Sequence, residues 1–244
     1  DRPTHYCPGC GHGIIHKLLA QAIDELGVRE RTILIAPVGC SVLAYYYLAV
    51  DGIEAAHGRA PAVATGLKRA LPDRVVISYQ GDGDLLAIGM AETVHAANRG
   101  EKITVIFVNN AIYGMTGGQT APTTPHHATT KTTPTGNAEH PFDACEVAKA
   151  AGATYVARWT TAHPAQITRA FKEAINHKGF AFIEMASQAE AQKGISLFHG
   201  KQLNGRDLTV NMARPREERP CLRRPARPHR ACEGRFRGCV RRAR

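Results

Sequence analysis

Four runs of β-branched, aliphatic and aromatic residues constrain this chain's fold more than any other feature: Thr32-Ile-Leu-Ile-Ala36, Arg74-Val-Val-Ile-Ser-Tyr79, Ile103-Thr-Val-Ile-Phe-Val108 and Phe180-Ala-Phe-Ile-Glu-Met185. None alternates strictly between apolar and polar residues, so each is expected to be a strand buried on both faces. Helical patterns lie between them. Ile14, Leu18, Leu19, Ala22, Ile23 and Leu26 recur at helical spacing and stop at Gly27, a C-cap. Further helices are expected at 59–71 before Pro72, at 85–98 before Gly100, at 142–151 and at 163–177, with another strand at 153–158. Strands alternating with helices predict an α/β fold, a parallel sheet covered by helices on both faces. A chain of 244 residues with 43% apolar content suffices for one such domain plus appended material.

The formal charge of +10 points to a polyanion or membrane partner only until it is located. Residues 214–244 hold twelve Arg against Glu217, Glu218 and Glu233, so the first 213 residues carry only +1. No run approaches the roughly 18 apolar residues of a membrane helix, and no leader resembles a signal peptide. A cytoplasmic protein without a membrane partner is the expectation, and a first residue that is not Met suggests a trimmed or incomplete N-terminus. Seven Cys, an odd number with three in the Arg-rich tail, favour thiols or metal ligands over a disulfide framework.

The chemistry is expected after the second and third runs. Gly81-Asp-Gly-Asp84 follows one strand and opens a helix, and Asn109-Asn110 ends the next strand. In a parallel βαβ unit both strands finish on the same sheet edge, so Asp82 and Asn110 should face one another. A carboxylate, an amide oxygen and a nearby backbone carbonyl suit Mg²⁺, which prefers oxygen ligands and bridges to phosphate. Gly81 and Gly83 allow close backbone approach, and the helix N-terminus adds N–H donors for phosphate oxygens. Gly-Asp-Gly alone would read as a tight turn; its context makes it a metal-assisted diphosphate site. The stretch 111–141, rich in Gly, Thr, Pro and His, is too long for a plain connection and reads as a functional loop.

These residues resemble a known family. GDGDLLAIGMAETVHAANRGEKITVIFVNN is similar to the thiamine diphosphate motif. YCPGCGHGIIHKLLAQAIDELG, PVGCSV, AAHGRAPAVATGLKRALPDRVV and NNAIYGMTGGQTAPTTP resemble the β subunit of 2-oxoacid:ferredoxin oxidoreductases, over about residues 2–187. The resemblance implies a thiamine diphosphate-binding fold in which Asp82, Asn110 and the Ile112 carbonyl hold Mg²⁺. It places Gly81, Gly83, Asp84, Cys40, Ser41, His57, Gly58 and Arg59 near the cofactor, with Tyr113, Gly114, Met115 and Thr116 as a loop over it. It further implies oxidative decarboxylation of a 2-oxoacid, with CoA taking the acyl group and electrons passing singly through iron–sulfur centres to ferredoxin. An α subunit, with possible γ and ferredoxin-like subunits, would complete the enzyme. In this family the Glu that activates the cofactor comes from a partner subunit, so the chain alone is expected to be inactive. Both 2-oxoglutarate and branched-chain 2-oxoacids fit as substrates.

Cys7, Cys10 and Cys40 correspond to three ligands of that family's 4Fe-4S cluster, which needs four thiolates. The fourth is expected near residue 189, where this chain has Ala189, so the cluster is in doubt. A zinc site with His5 or His12, or a redox dithiol, remains as an alternative for Cys7-Pro-Gly-Cys10. Cys145 reads as a core residue, and His126, His127 and His140 as solvated or substrate-facing loop residues.

Lys178-Gly-Phe-Ala-Phe-Ile-Glu-Met185 also nearly fits the RNA-contacting strand of an RNA recognition motif. AEAQKGISLFHGKQLNGRDLTV resembles the second half of that motif, over about 178–220. Three segments are therefore expected: a cofactor domain at 1–187, a partial recognition-motif extension at 188–213, and an Arg/Pro-rich tail at 214–244 that would be disordered. The alternative function is RNA binding, through the half-motif or nonspecifically through the tail. Because a half-motif cannot close the four-stranded sheet the module needs, Phe180 to Met185 is expected to be a buried strand of the enzyme domain.

Overall fold

The computed structural model describes residues 4–7 and 9–186, together with the backbone at 202–203 and 206–207. In chain order the strands are β1 Thr32–Pro37, β2 Asp51–Ala55, β3 Val75–Gly81, β4 Thr104–Asn109, β5 Ile112–Tyr113, β6 Gln119–Thr120, β7 Tyr155–Thr160 and β8 Ala181–Ala186. The helices are α1 His12–Glu25, α2 Ala60–Ala70, α3 Met90–Asn98, α4 Ala144–Ala150 and α5 Pro164–Asn176. Six strands form one all-parallel sheet in the order β2-β1-β3-β4-β8-β7, and β5 pairs with β6 in a small antiparallel hairpin.

The uninterrupted apolar runs follow from burial on both faces. Leu34, Ala36, Ile77, Tyr79, Ile106, Val108, Ile183 and Met185 point to one face and pack with α1 and α5 through Ile15, Leu19, Ile23 and Phe171. Their neighbours Ile35, Val76, Val105, Phe107, Phe180 and Phe182 point to the other and pack with α2, α3 and α4. Side chains alternate along a strand, so only an apolar residue at nearly every position fills both layers. α1 stops where Gly27 takes a φ of 63°, a left-handed turn that disfavours a β-carbon.

Two details differ from the sequence reading. β2 was not expected: it lies at the sheet edge, mostly exposed, and its sequence Asp-Gly-Ile-Glu-Ala lacks the apolar run that marks the buried strands. The helix expected at 85–98 is broken. Gly83–Ile88 winds as a π-turn, with the Gly89 N–H bonding the Asp84 carbonyl at 2.9 Å, before α3 begins. A β-carbon on Gly89 would lie 2.5 Å from that carbonyl oxygen and 2.8 Å from the Gly58 carbonyl oxygen, so the break lets the backbone after β2 pack closely here.

The expectation that Phe180 to Met185 is a buried strand is borne out, against the RNA-contacting alternative. β8 lies between β4 and β7, and Phe180 and Phe182 are wholly buried against the α2, α3 and α4 layer. An aromatic RNA platform needs rings on an open sheet face. The extension 188–213 and the tail 214–244 lie outside the described residues, apart from a two-residue antiparallel ladder between 202–203 and 206–207. Ala189 is likewise outside them.

Candidate active site

The strand order reverses at β1: the chain passes from β1 to β2 on one side, then returns to β3 on the other. Open α/β sheets bind ligands at such a switch point, beyond the C-terminal ends of the strands. A cavity of about 520 Å³ opens there. It is lined by the segments after all four adjoining strands: Val38 to Ser41 after β1, His57 after β2, Gly81 to Asp84 after β3, and Asn110 with Ile112 to Thr116 after β4.

Thirteen of the fifteen cofactor-contacting residues expected from sequence line this cavity: Cys40, Ser41, His57, Gly81, Asp82, Gly83, Asp84, Asn110, Ile112, Tyr113, Gly114, Met115 and Thr116. Gly58 and Arg59 flank it instead. Gly58 donates its N–H to an Asp84 carboxylate oxygen at 2.5 Å, and Arg59 turns away to Glu92 and to the Ile88 carbonyl oxygen. His12, Val38, Gly39 and Gln119 also line the cavity, from α1, the segment after β1 and β6; the stretches that carry the family resemblance hold all four, but none of them was assigned to the cofactor site from sequence.

Asp82 is 3% exposed. Its carboxylate accepts the N–H of Gly83 at 2.7 Å and of Ile112 at 3.0 Å, so the loops after β3 and β4 meet on one side chain. Burial pushes its pKa up to about 6, against the opposing pull of these backbone donors. Asp84 works differently. Its oxygens are taken by Gly58 N–H and the Gln80 amide, with His57 Nδ1 at 3.1 Å, and burial raises its pKa. His57 Nδ1 also lies 2.5 Å from the Val38 carbonyl oxygen. With Asp84 ionised both neighbours are acceptors, so Nδ1 carries the hydrogen.

Behind the wall sits a buried histidine and tyrosine cluster. His12 Nδ1 and the Tyr79 hydroxyl are 2.7 Å apart, and Tyr6 stacks on His12 with centroids at 4.5 Å. Desolvation lowers the pKa of His12 to about 3 and of His16 to about 4, so both are neutral at physiological pH. Cys7, Cys10 and Cys40 are free thiols on this side of the cavity, and burial raises Cys10 and Cys40, with the neighbouring thiols adding to it. Among the described residues, no three His, Cys, Asp or Glu side chains gather as a ligand set for one ion.

Residues 37–185 match the family model described as thiamine pyrophosphate enzyme, C-terminal TPP binding domain. The 2-oxoglutarate synthase subunit KorB of Methanocaldococcus jannaschii is 49% identical over 196 residues, covering 80% of this chain and 73% of that protein. The chain belongs to the thiamine pyrophosphate-binding β-subunit family of 2-oxoacid:ferredoxin oxidoreductases. The ketoisovalerate oxidoreductase subunit VorA of Methanothermobacter thermautotrophicus is 53% identical over 196 residues, covering 75% of this chain; the chain spans 41% of VorA's length. A solved 2-oxoglutarate:ferredoxin oxidoreductase from Magnetococcus marinus aligns with TM-score 0.74 and 38% identity, covering 77% of this chain and 65% of that one. Residues 165–209 also match an RNA recognition motif model. The match starts further upstream than the sequence resemblance, and within it α5 and β8 are built into the cofactor domain, where Phe180 and Phe182 are buried and present no open aromatic face.

Gly83 makes the cofactor wall testable. A β-carbon there would stand 1.9 Å from Tyr113 Cε1, inside the ring that closes this side of the cavity. Gly83→Ala should force Tyr113 out of place and weaken thiamine diphosphate binding about tenfold or more, with only a modest fall in melting temperature. Cofactor titration alongside a melting curve reads both; unchanged affinity would show that the ring does not shape the site.

Proposed function

We propose that this chain binds Mg²⁺ and thiamine diphosphate at the Asp82 corner and serves, with partner subunits, in oxidative decarboxylation of a 2-oxoacid to an acyl-CoA with electrons passed to ferredoxin. The observation that carries this is the meeting of Asp82, Asn110 and the backbone at Ile112 at the mouth of β3 and β4. The donor set fits the metal. A buried carboxylate, an amide oxygen and a backbone carbonyl are hard oxygen donors, and a divalent cation would neutralise a carboxylate that burial otherwise penalises. Asp82, Asn110 and the Ile112 carbonyl would hold the ion.

When bound, the cofactor supplies the reactive carbon and the electron sink for decarboxylation. The chain's own residues place it and shape its surroundings. Gly81 leaves room for the diphosphate, since a β-carbon there would meet no atom within 4 Å, while Gly83 leaves room for the Tyr113 ring that walls the cavity. Met115 and Thr116 wall the cavity beyond Tyr113 and Gly114, while neutral His12 adds no charge to the opposite wall. His57 is held on the cavity wall by Val38 and Asp84.

The fourth iron–sulfur ligand that the family resemblance expects near residue 189 is missing, since Ala189 has no thiol. The relatives' names include both ketoisovalerate and 2-oxoglutarate enzymes, so the proposal covers 2-oxoacids as a class. The activating carboxylate is proposed to come from a partner. Isolated chain supplied with cofactor, Mg²⁺, CoA and a 2-oxoacid should therefore not reduce a viologen dye. Turnover by the chain alone would contradict the division of labour.

A further inference from the structure

We propose that Glu184 is a positioning residue that, through Asn109, fixes the Asn110 to Ile112 corner of the cofactor pocket. The inference rests on the cofactor reading above. Glu184 is buried near the C-terminal end of β8, on the same strand face as Phe182, and both its oxygens are occupied. Oε1 accepts the Asn109 amide at 2.9 Å. Oε2 accepts Arg158 Nε at 2.8 Å and the Cys145 thiol at 3.1 Å. Burial and the Glu184 charge push the Cys145 thiol up to about 12, so it remains a donor.

Asn109 carries the constraint onward. Its amide nitrogen is committed to Glu184 and its oxygen accepts the Thr123 hydroxyl at 2.8 Å, so the side chain is held at both ends in one orientation. The next residue, Thr124, donates its hydroxyl to the Ala111 carbonyl at 2.7 Å. Ala111 has a φ of 60°, which a residue with a β-carbon adopts only when its surroundings impose it. Immediately after it, the Ile112 N–H reaches Asp82. At the other end, Arg158 pairs with Asp143, whose carboxylate caps α4 by accepting the Glu146 N–H. The chain Asp143, Arg158, Glu184, Asn109, Thr123 therefore pins both ends of the long loop to β7, β8 and β4. That loop opens with the pocket wall.

Thr123→Val removes the loop-side hydroxyl at nearly constant volume, and Thr123→Ser retains it. In the full chain, Thr123→Val should weaken Mg²⁺-dependent thiamine diphosphate binding about tenfold, the scale of one buried hydrogen bond. It should also speed amide exchange at residues 110–112 of the cofactor-free chain about tenfold. The melting temperature should move by only a few degrees, and Thr123→Ser should match wild type. Glu184→Gln places an amide donor against either Arg158 or Asn109, so it should give the same two changes with a larger fall in melting temperature. Wild-type affinity and exchange in Thr123→Val would overturn the proposal. Should wild type bind no cofactor, the functional reading fails, and the exchange measurement still decides whether Glu184 and Asn109 hold the corner.

Discussion

Replacing Asp82 with Asn is expected to stabilise the metal-free chain at pH 8 while removing its Mg²⁺-dependent cofactor binding. The carboxyl is buried, which pushes its pKa up to about 6, above the ordinary aspartate value of about 3.9. With the folded-state pKa the higher one, protonated Asp82 favours folding. That contribution is complete below about pH 4 and is lost as pH rises through about 6, a difference of about 3 kcal/mol. Asn removes the penalty but can accept only one of the two backbone N–H bonds, a loss of about 1–2 kcal/mol. The net gain at pH 8 is then about 1–2 kcal/mol. Denaturant midpoints from pH 4 to 8 should show wild type losing stability relative to the variant across that window. Parallel pH profiles would show that Asp82 carries no buried charge.

Phe182→Ala is expected to cost about 3–5 kcal/mol, as for other fully buried aromatic residues, and so to unfold a marginally stable domain. The ring is wholly buried and lies 5.9 Å, centroid to centroid, from Phe107 on the neighbouring β4. An exposed RNA-stacking aromatic would give almost no change in stability and a loss of RNA affinity instead. Chemical denaturation of the two proteins separates these outcomes directly.

The buried strands were legible because a parallel sheet covered on both faces demands apolar residues at nearly every position, a requirement written into TILIA, VVIS, TVIFV and FAFI. The Asp82 corner was legible because sheet topology brings strand ends together across 28 residues of sequence. β2 was invisible for the converse reason: an exposed edge strand has no such demand. The π-turn at Gly83–Ile88 escaped notice because its sequence, Gly-Asp-Leu-Leu-Ala-Ile, suits an ordinary helix; the break at Gly89 is set by tertiary contact with Gly58. Glu184 and Asn109 each looked like an ordinary strand residue. Only their pairing, 75 residues apart, reveals what they do.

The central claim is that Asp82 and Asn110 make this domain a Mg²⁺-dependent thiamine diphosphate site. Calorimetric titration of thiamine diphosphate into the full chain, with Mg²⁺ and with chelator, tests it most directly. The predicted result is saturable binding with one cofactor per chain that requires Mg²⁺ and disappears in Asp82→Ala. Binding that ignores chelator, or that survives intact in Asp82→Ala, would contradict it.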